Sequence, residues 1–148
     1  MQNIHELIEE ETLKYLEPFK NDYIEQRFEL EEAGGWYNDE IYKVEVYGFY
    51  KDDFHPEKQT IFILLRCFVN YNYKQIEISN IFLPNFMRYQ GIGKKLINIV
   101  FQISEREDYK LFIVDMVPSF YLRMIKRGAL PCTKCDDAVQ IVRETKLV

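Results

Sequence analysis

The chain has 148 residues, of which 47% are hydrophobic and 16% aromatic, and its formal net charge is −5. We expect a single domain over residues 1–148, because this length can bury a sizeable core and the composition argues against disorder. An acidic surface repels nucleic acid, so we expect no nucleic-acid partner. No segment reaches the roughly 18 apolar residues of a membrane span, so we expect no membrane association. The acidic start lacks the apolar core of a secretory signal, and the cysteine count is odd, which favours a cytoplasmic location.

The chain begins with a predicted helical region. Apolar residues from Ile4 to Phe19 fall roughly on one helical face, and Pro18 should end or kink this helix. A second helix is predicted from Asn21 to Glu32, and it is broken by the pair Gly34-Gly35.

Three strands are predicted next. The first lies around Tyr42–Tyr47, where apolar and polar residues alternate. The second, Thr60–Val69, is nearly all apolar and reads as a central strand, and the third covers about Gln75–Leu83. Because the turns between them are short, we expect an antiparallel meander.

The remaining elements alternate between helix and strand. A clean apolar stripe predicts a helix over Ile92–Arg106, and a buried strand is predicted over Leu111–Val117. Ser119 is a good N-cap for a helix reaching about Arg127, and a last strand is predicted over Ala138–Arg143. The order of elements predicts an α/β (α+β) fold with a mixed, mostly antiparallel central sheet flanked by helices.

The turn Arg88-Tyr89-Gln90-Gly91-Ile92-Gly93 joins the third strand to the long helix. Glycines at such a turn expose backbone N–H groups at a helix N-terminus, which predicts a phosphate or pyrophosphate site. A P-loop would need Gly at position 88 and Ser or Thr at position 95, and a Rossmann loop a third glycine in place of Leu96. An ordinary glycine-rich helix start is the alternative that the glycine pattern alone leaves open.

The segment from Leu83 to Leu96 resembles the acetyl-coenzyme A signature of the GNAT superfamily of N-acetyltransferases, R-x-x-G-x-G after a strand and Pro84. The resemblance continues through a buried strand to Ser119-Phe120-Tyr121, which opens a helix ending at Gly128-Ala129. It covers roughly residues 40–145, including the order of elements.

The resemblance implies that acetyl-CoA is the cofactor and that the strands on either side of it splay apart. The loop N–H groups would hold the pyrophosphate, and the edge of Ile81–Leu83 would pair with the pantetheine amides, a backbone N–H near Leu83 polarising the thioester carbonyl. Lys95 adds positive charge near the loop. The implied cofactor-binding residues are Ile81, Phe82, Leu83, Arg88, Tyr89, Gln90, Gly91, Ile92, Gly93, Lys94 and Ser119.

The resemblance also implies catalytic residues. Tyr121 matches the family's proton donor to the departing thiolate. Glu77 is the first candidate for the general base, and Asp115, in an otherwise apolar run, is the second, although either could be a structural carboxylate. Ser79 and Asn80 are candidates for contact with the acceptor.

Three departures from the family pattern affect these roles. Pro84 precedes the glycine motif by one residue more than usual, and Pro118-Ser119 stands where an asparagine often contacts coenzyme A. The span from Tyr121 to Gly128 is about one turn longer than usual, so Phe120 or Ser119 could face the sulfur instead.

The expected function is direct transfer of an acetyl group from acetyl-CoA to an amine on a small molecule, peptide or protein, by a monomer or homodimer. A coenzyme A-binding regulatory or assembly module without transferase activity is the alternative, and a third possibility is an unrelated glycine-loop fold.

Two further patterns favour ordinary structural roles. The pair Cys132 and Cys135 has no second pair or nearby histidine, so free loop thiols are favoured over a zinc or redox site, and no metal is expected. The aromatic residues of the first half could line an acceptor pocket, but strand and core packing explains them better. They are Trp36, Tyr37, Tyr42, Tyr47 and Tyr50.

Overall fold

An eight-stranded sheet forms the centre of the protein, and the computed structural model describes residues 2–148. The strands are β1 (Glu29–Glu32), β2 (Gly35–Trp36), β3 (Ile41–Asp52), β4 (His55–Asn70), β5 (Gln75–Ile81), β6 (Lys110–Ile113), β7 (Leu130–Pro131) and β8 (Val139–Ile141). Their order is β1-β3-β4-β5-β6-β8-β7, with β2 paired to β3 off this path. Among the described strands only β5 and β6 run parallel, so the predicted mixed, mostly antiparallel sheet is confirmed.

Helices flank this sheet. They are α1 (Ile4–Leu16), α2 (Phe19–Asp22), α3 (Ile92–Arg106) and α4 (Pro118–Lys126), with a single 3-10 turn at Asn85–Met87. Helices α1 and α3 pack against each other, and Ile8, Leu96 and Val100 are completely buried between the helices and the sheet. Within residues 2–148, no helix combines the length and the apolar character that crossing a membrane requires.

The second predicted helix, Asn21–Glu32, is wrong. Helix α2 ends at Asp22, and β1 begins at Glu29 and pairs antiparallel with β3, Glu29 opposite Phe49 and Glu32 opposite Val46. The segment has only a few apolar residues and no clean helical stripe, so pairing with an exposed strand edge decides its conformation.

The predicted strand Leu111–Val117 is shorter in the structure. Strand β6 ends at Ile113, two residues before Asp115, whose φ of +55° is incompatible with a continuing strand. Pro118 then starts α4 in the first helical position, where its missing N–H has no cost.

Strands β5 and β6 separate halfway along β5. Their pairing ends at Ile78 opposite Ile113, and the last hydrogen bond runs from the Val114 N–H to the Ile78 carbonyl at 2.9 Å. Beyond this point, within residues 2–148, β5 keeps only β4 as a neighbouring strand, through Ile81 opposite Leu65. The predicted splay of these two strands is therefore present.

A bulge at Ser79 changes which backbone groups of β5 face the gap. On β4, consecutive residues pair with Asn80 and Ile78, which leaves Ser79 without an opposite residue. Beyond the bulge the Phe82 N–H donates to Leu64 of β4 at 3.1 Å. Since backbone groups alternate along a strand, those of Ile81 and Leu83 point away from β4 and into the gap.

Helix α1 brings a carboxyl group, Glu9, against the sheet. Its Oε1 is buried without a hydrogen-bond partner, and a Cβ on Gly34 would lie only 3.2 Å from it. Burial, and next the charge of Glu32, raise the pKa of Glu9 to about 7. The folded protein therefore keeps this proton over a pH range in which the unfolded chain, with an ordinary value of 4.5, has lost it.

This difference sets a pH dependence of stability. Between about pH 4.5 and 7 the folded state binds more protons, so the free energy of unfolding should fall as the pH rises. Glu9→Gln cannot ionise, and we expect it to raise the free energy of unfolding at pH 8 by about 1–2 kcal/mol, allowing for partial solvent screening, with little change at pH 5. Urea unfolding at both pH values measures this, with the exposed Glu25→Gln as the control. Equal effects of the two variants would contradict the assignment.

Candidate functional site

A cleft of about 610 Å³ opens where β5 and β6 part. The end of β5, the glycine loop and the first turns of α3 form one side of it, and α4 forms the other. Its lining residues are Ile81, Phe82, Leu83, Arg88, Tyr89, Gly91, Ile92, Gly93, Lys94, Ile97, Val117, Ser119, Phe120, Arg123, Met124 and Arg127. All predicted cofactor-binding residues except Gln90 therefore lie along one continuous space.

The glycine loop presents unpaired backbone donors to this cleft. Tyr89 and Gly91 have positive φ angles of 64° and 78°, and Gly91 is the N-cap of α3. The first helical hydrogen bond to Gly91 comes from Lys95 at 3.1 Å, and no side chain caps the helix. The N–H groups of residues 92–94 thus have no partner within the helix and form the positive end of its dipole.

Gly93 lies close to the open edge of β5. A Cβ at this position would be 3.8 Å from side-chain carbons of both Ile81 and Leu83. The unpaired N–H groups of α3 and the free backbone edge of β5 therefore border the same part of the cleft. A single ligand that carries an anionic group and amide groups could bind to the N–H groups of α3 and to the backbone edge of β5 at the same time.

The charges around the cleft have one sign. Its lining contains four cations, Arg88, Lys94, Arg123 and Arg127, and no Asp or Glu. Within the described chain, none of the four lies within 4.0 Å of a carboxylate oxygen. In a protein with a net charge of −5, such segregation indicates a site for a polyanion.

Two of the predicted loop side chains have structural roles. Arg88 donates from Nε to the Leu83 carbonyl at 2.9 Å and lies 5.5 Å from the centre of the Phe82 ring, so it fixes the loop to the end of β5. Gln90 turns away from the cleft, accepting from the Tyr23 hydroxyl at 2.9 Å. Lys95, predicted to add charge near the loop, instead lies over the Tyr15 ring of α1.

Three successive side chains in the first turn of α4 point in different directions. Ser119 and Phe120 line the cleft, whereas Tyr121 does not and packs, partly buried, against the hydrophobic core. Arg123 lies one turn further on, 5.6 Å from the centre of the Phe120 ring. The predicted role of Tyr121 as the proton donor stays a prediction, and on α4 the hydroxyl side chain that lines the cleft is that of Ser119.

The two candidate bases lie outside the cleft lining. Glu77 alternates with the buried Ile76 and Ile78, so it occupies the other face of β5, close to the β7–β8 loop. There the pKa of the Cys132 thiol is raised by burial first, then by Cys135 and Glu77. The role of Glu77 as the general base stays a prediction.

The premise for Asp115 as a base is wrong. The prediction placed it within a buried strand, where desolvation would act on its carboxyl group. In the structure Asp115 follows the end of β6 and is exposed to solvent.

Ser79 and Asn80 lie at the bulge where the strands part. The Ser79 Oγ is buried and has no hydrogen-bond partner within the described chain, whereas Asn80 donates to the Ile63 carbonyl at 2.6 Å. Neither residue lines the cleft, and the Asn80 amide is already used by the sheet, so contact with an acceptor stays a prediction for both.

The aromatic residues proposed for an acceptor pocket do not line the cleft. Trp36 and Tyr42 cluster with His5 of α1, whose ring stacks on Tyr42 at 3.6 Å between centroids. Tyr50 packs against Phe86. The two remaining candidates, Tyr37 and Tyr47, are also absent from the lining. The packing role favoured from the sequence fits Tyr42 and Tyr50, which pack against the core, but not Trp36 and Tyr37, which are largely exposed.

Sequence reasoning missed the contribution of α4 and of the second turn of α3. The missed lining residues are Ile97, Val117, Arg123, Met124 and Arg127, whereas Phe120 was named as a residue that could face the sulfur. One signal was present, since Arg123 and Arg127 are spaced to lie on one face of the helix that Ser119 opens.

Comparison with known proteins gives little beyond this geometry. No family model matches the sequence, and no curated protein matches it. A solved structure described as "putative acetyltransferase from Agrobacterium tumefaciens" is similar to this chain at 15% identity, with a TM-score of 0.40, over 88% of this chain and 87% of the other. A similarity of this size assigns neither a family nor an activity.

Proposed function

We propose that this protein binds acetyl-CoA in the cleft between β5 and α4 and transfers the acetyl group directly to an amine, as in GNAT-type N-acetyltransferases. The observation that carries the proposal is a cleft whose charged lining residues are all cationic and which borders both the uncapped N-terminus of α3 and the free edge of β5. A nucleotide-linked thioester has the matching groups: a diphosphate, amides in its arm and a reactive end.

The parts of the cleft fit those groups in sequence. The N–H groups of residues 92–94 suit the diphosphate, with Lys94 supplying a charge beside them. The backbone of Ile81 and the N–H of Leu83 can pair with pantetheine amides as an added strand would, whereas the Leu83 carbonyl already accepts from Arg88. In that alignment the thioester would lie in the gap between β5 and β6.

Transfer to an amine has three requirements. The amine must be neutral, the thioester carbonyl must be polarised, and the sulfur must receive a proton as the carbon–sulfur bond breaks. The Leu83 N–H is free for the carbonyl, because β4 has no pairing with it. The acceptor, an amine on a small molecule, peptide or protein, would enter the gap from the face opposite the cleft.

A second function is favoured by one specific observation. Neither Tyr121 nor Glu77 lines the cleft, so the residues expected to move protons are not gathered around the thioester position. This arrangement suits a coenzyme A-binding module that acts in regulation or assembly without transferring the acetyl group.

Thermal unfolding tests the binding. At a concentration about 100 times its dissociation constant, acetyl-CoA should stabilise the fold by about 2.7 kcal/mol and raise the unfolding midpoint by about 5 °C or more. ATP at the same concentration serves as the control for non-specific anion binding. No shift with millimolar acetyl-CoA would exclude both proposed functions.

Release of free thiol from acetyl-CoA distinguishes the two functions. Incubation with a panel of polyamines, amino acids and basic peptides should release thiol in proportion to acetylated product for at least one amine. Binding of acetyl-CoA without amine-dependent thiol release would instead support the binding module.

A further inference from the structure

We propose that Arg123 and Arg127 of α4 form a second anion subsite, which recognises the 3′-phosphate of coenzyme A and lets the protein distinguish coenzyme A from its 3′-dephosphorylated form. The inference rests on the proposed binding of acetyl-CoA in this cleft. It assigns a ligand group to two residues that the glycine motif does not include.

The two arginines are placed to act together. Arg123 lies in the last turn of α4 and Arg127 is its C-cap, four residues on and hence on the same face, and both line the cleft on the side opposite the glycine loop. Each has only weak contacts of its own: Arg123 lies over Phe120, and Arg127 donates from Nη1 to the Lys146 carbonyl at 3.4 Å. No carboxylate of residues 2–148 lies within salt-bridge distance of either guanidinium.

The charge of the cleft exceeds what a diphosphate needs. A diphosphate diester carries two negative charges, and the N-terminus of α3 with Lys94 and Arg88 already provides for them. The two arginines of α4 remain, on the far side of the cleft. A phosphate monoester has a second pKa near 6 and so carries nearly two charges at neutral pH, which matches a pair of guanidinium groups.

Guanidinium geometry supports a terminal phosphate over a diester at this position. A monoester presents three free oxygens, and each arginine can bind two of them through its planar fork. The adenosine end of the coenzyme carries such a monoester together with a flat base.

Calorimetric binding of coenzyme A and 3′-dephospho-coenzyme A tests the subsite. The unaltered protein should prefer coenzyme A by about tenfold or more. In Arg123→Gln with Arg127→Gln, the preference should fall to within about twofold, because affinity for coenzyme A falls by more than affinity for the dephospho form. The matched control is Lys126→Gln with Lys134→Gln, which removes the same charge from exposed residues outside the cleft and should keep the preference.

The outcomes separate the subsite from the proposed function. Equal binding of the two ligands by the unaltered protein would overturn the subsite and leave acetyl-CoA binding intact, whereas no binding of either ligand would overturn both. A double variant that keeps the full preference would also overturn the subsite. Arg127→Lys, which keeps the charge and loses the fork, should retain part of the preference and guards against a folding defect in the double variant.

Discussion

Gly91→Val should weaken acetyl-CoA binding by about 100-fold or more, the largest loss expected from any single substitution in the loop. Gly91 has a φ of +78°, a conformation that a β-branched residue can hold only with strain. If the backbone relaxes, the N–H groups of residues 92–94 lose their alignment. If it does not, the isopropyl group stands in the open space beside the loop, where the phosphate oxygens must approach.

Two further substitutions distinguish loss of backbone alignment from obstruction of the phosphate position. Gly91→Asn keeps the left-handed conformation at lower cost, so it should retain stability and lose only about tenfold in affinity through obstruction. Gly35→Val provides a control elsewhere, because Gly35 lies in β2, has no positive φ and has no atom within 4 Å of a Cβ position. It should change neither stability nor binding.

Calorimetry with acetyl-CoA and urea unfolding of each variant provide the two measurements. For Gly91→Val, backbone strain of about 1–3 kcal/mol should appear in unfolding without preventing the fold. Normal affinity in a folded Gly91→Val protein would show that the loop does not hold the diphosphate.

The glycine loop could be located from the sequence because its information is local. A strand, a pair of glycines and a helix with a clean apolar stripe specify a helix N-terminus in whatever fold contains them. The stripe led by Ile92 and Leu96 is buried as expected. The meander was predictable for the same reason, since alternation and short turns leave few other pairings.

The roles that depend on orientation could not be read from the sequence. Whether Tyr121 or Phe120 faces the cleft is decided by a rotation of about 100° between neighbouring residues of α4, and packing fixes that rotation. Similarly, the face on which Glu77 lies follows from the register of β5 against β4 and β6. The strand β1 was missed because it forms only through its partner β3.

The bulge at Ser79 shows why the gap itself needed the structure. Residues Gln75–Leu83 read as one uninterrupted strand, yet the bulge reverses the direction of the backbone groups beyond it. That reversal turns the polar groups of Ile81 and Leu83 toward a space with no neighbouring strand. A binding edge thus results from a single extra residue that has no distinctive sequence signal.

The second large effect concerns the residue that donates a proton to the departing thiolate. If Tyr121 donates to the departing thiolate, Tyr121→Phe should slow acetyl transfer by about 100-fold at unchanged acetyl-CoA affinity. Phenylalanine keeps the aromatic ring and removes only the hydroxyl group that would donate the proton. Affinity should not change, because Tyr121 does not line the cleft. Tyr73→Phe, at an exposed turn, is the matched control and should transfer at the normal rate.

The geometry of α4 makes the opposite outcome equally informative. For Tyr121 to act, its hydroxyl has to reach the gap from its packed position in the core, whereas Ser119 already lines the cleft. Unchanged turnover in Tyr121→Phe, together with a large loss in Ser119→Ala, would transfer the role to Ser119.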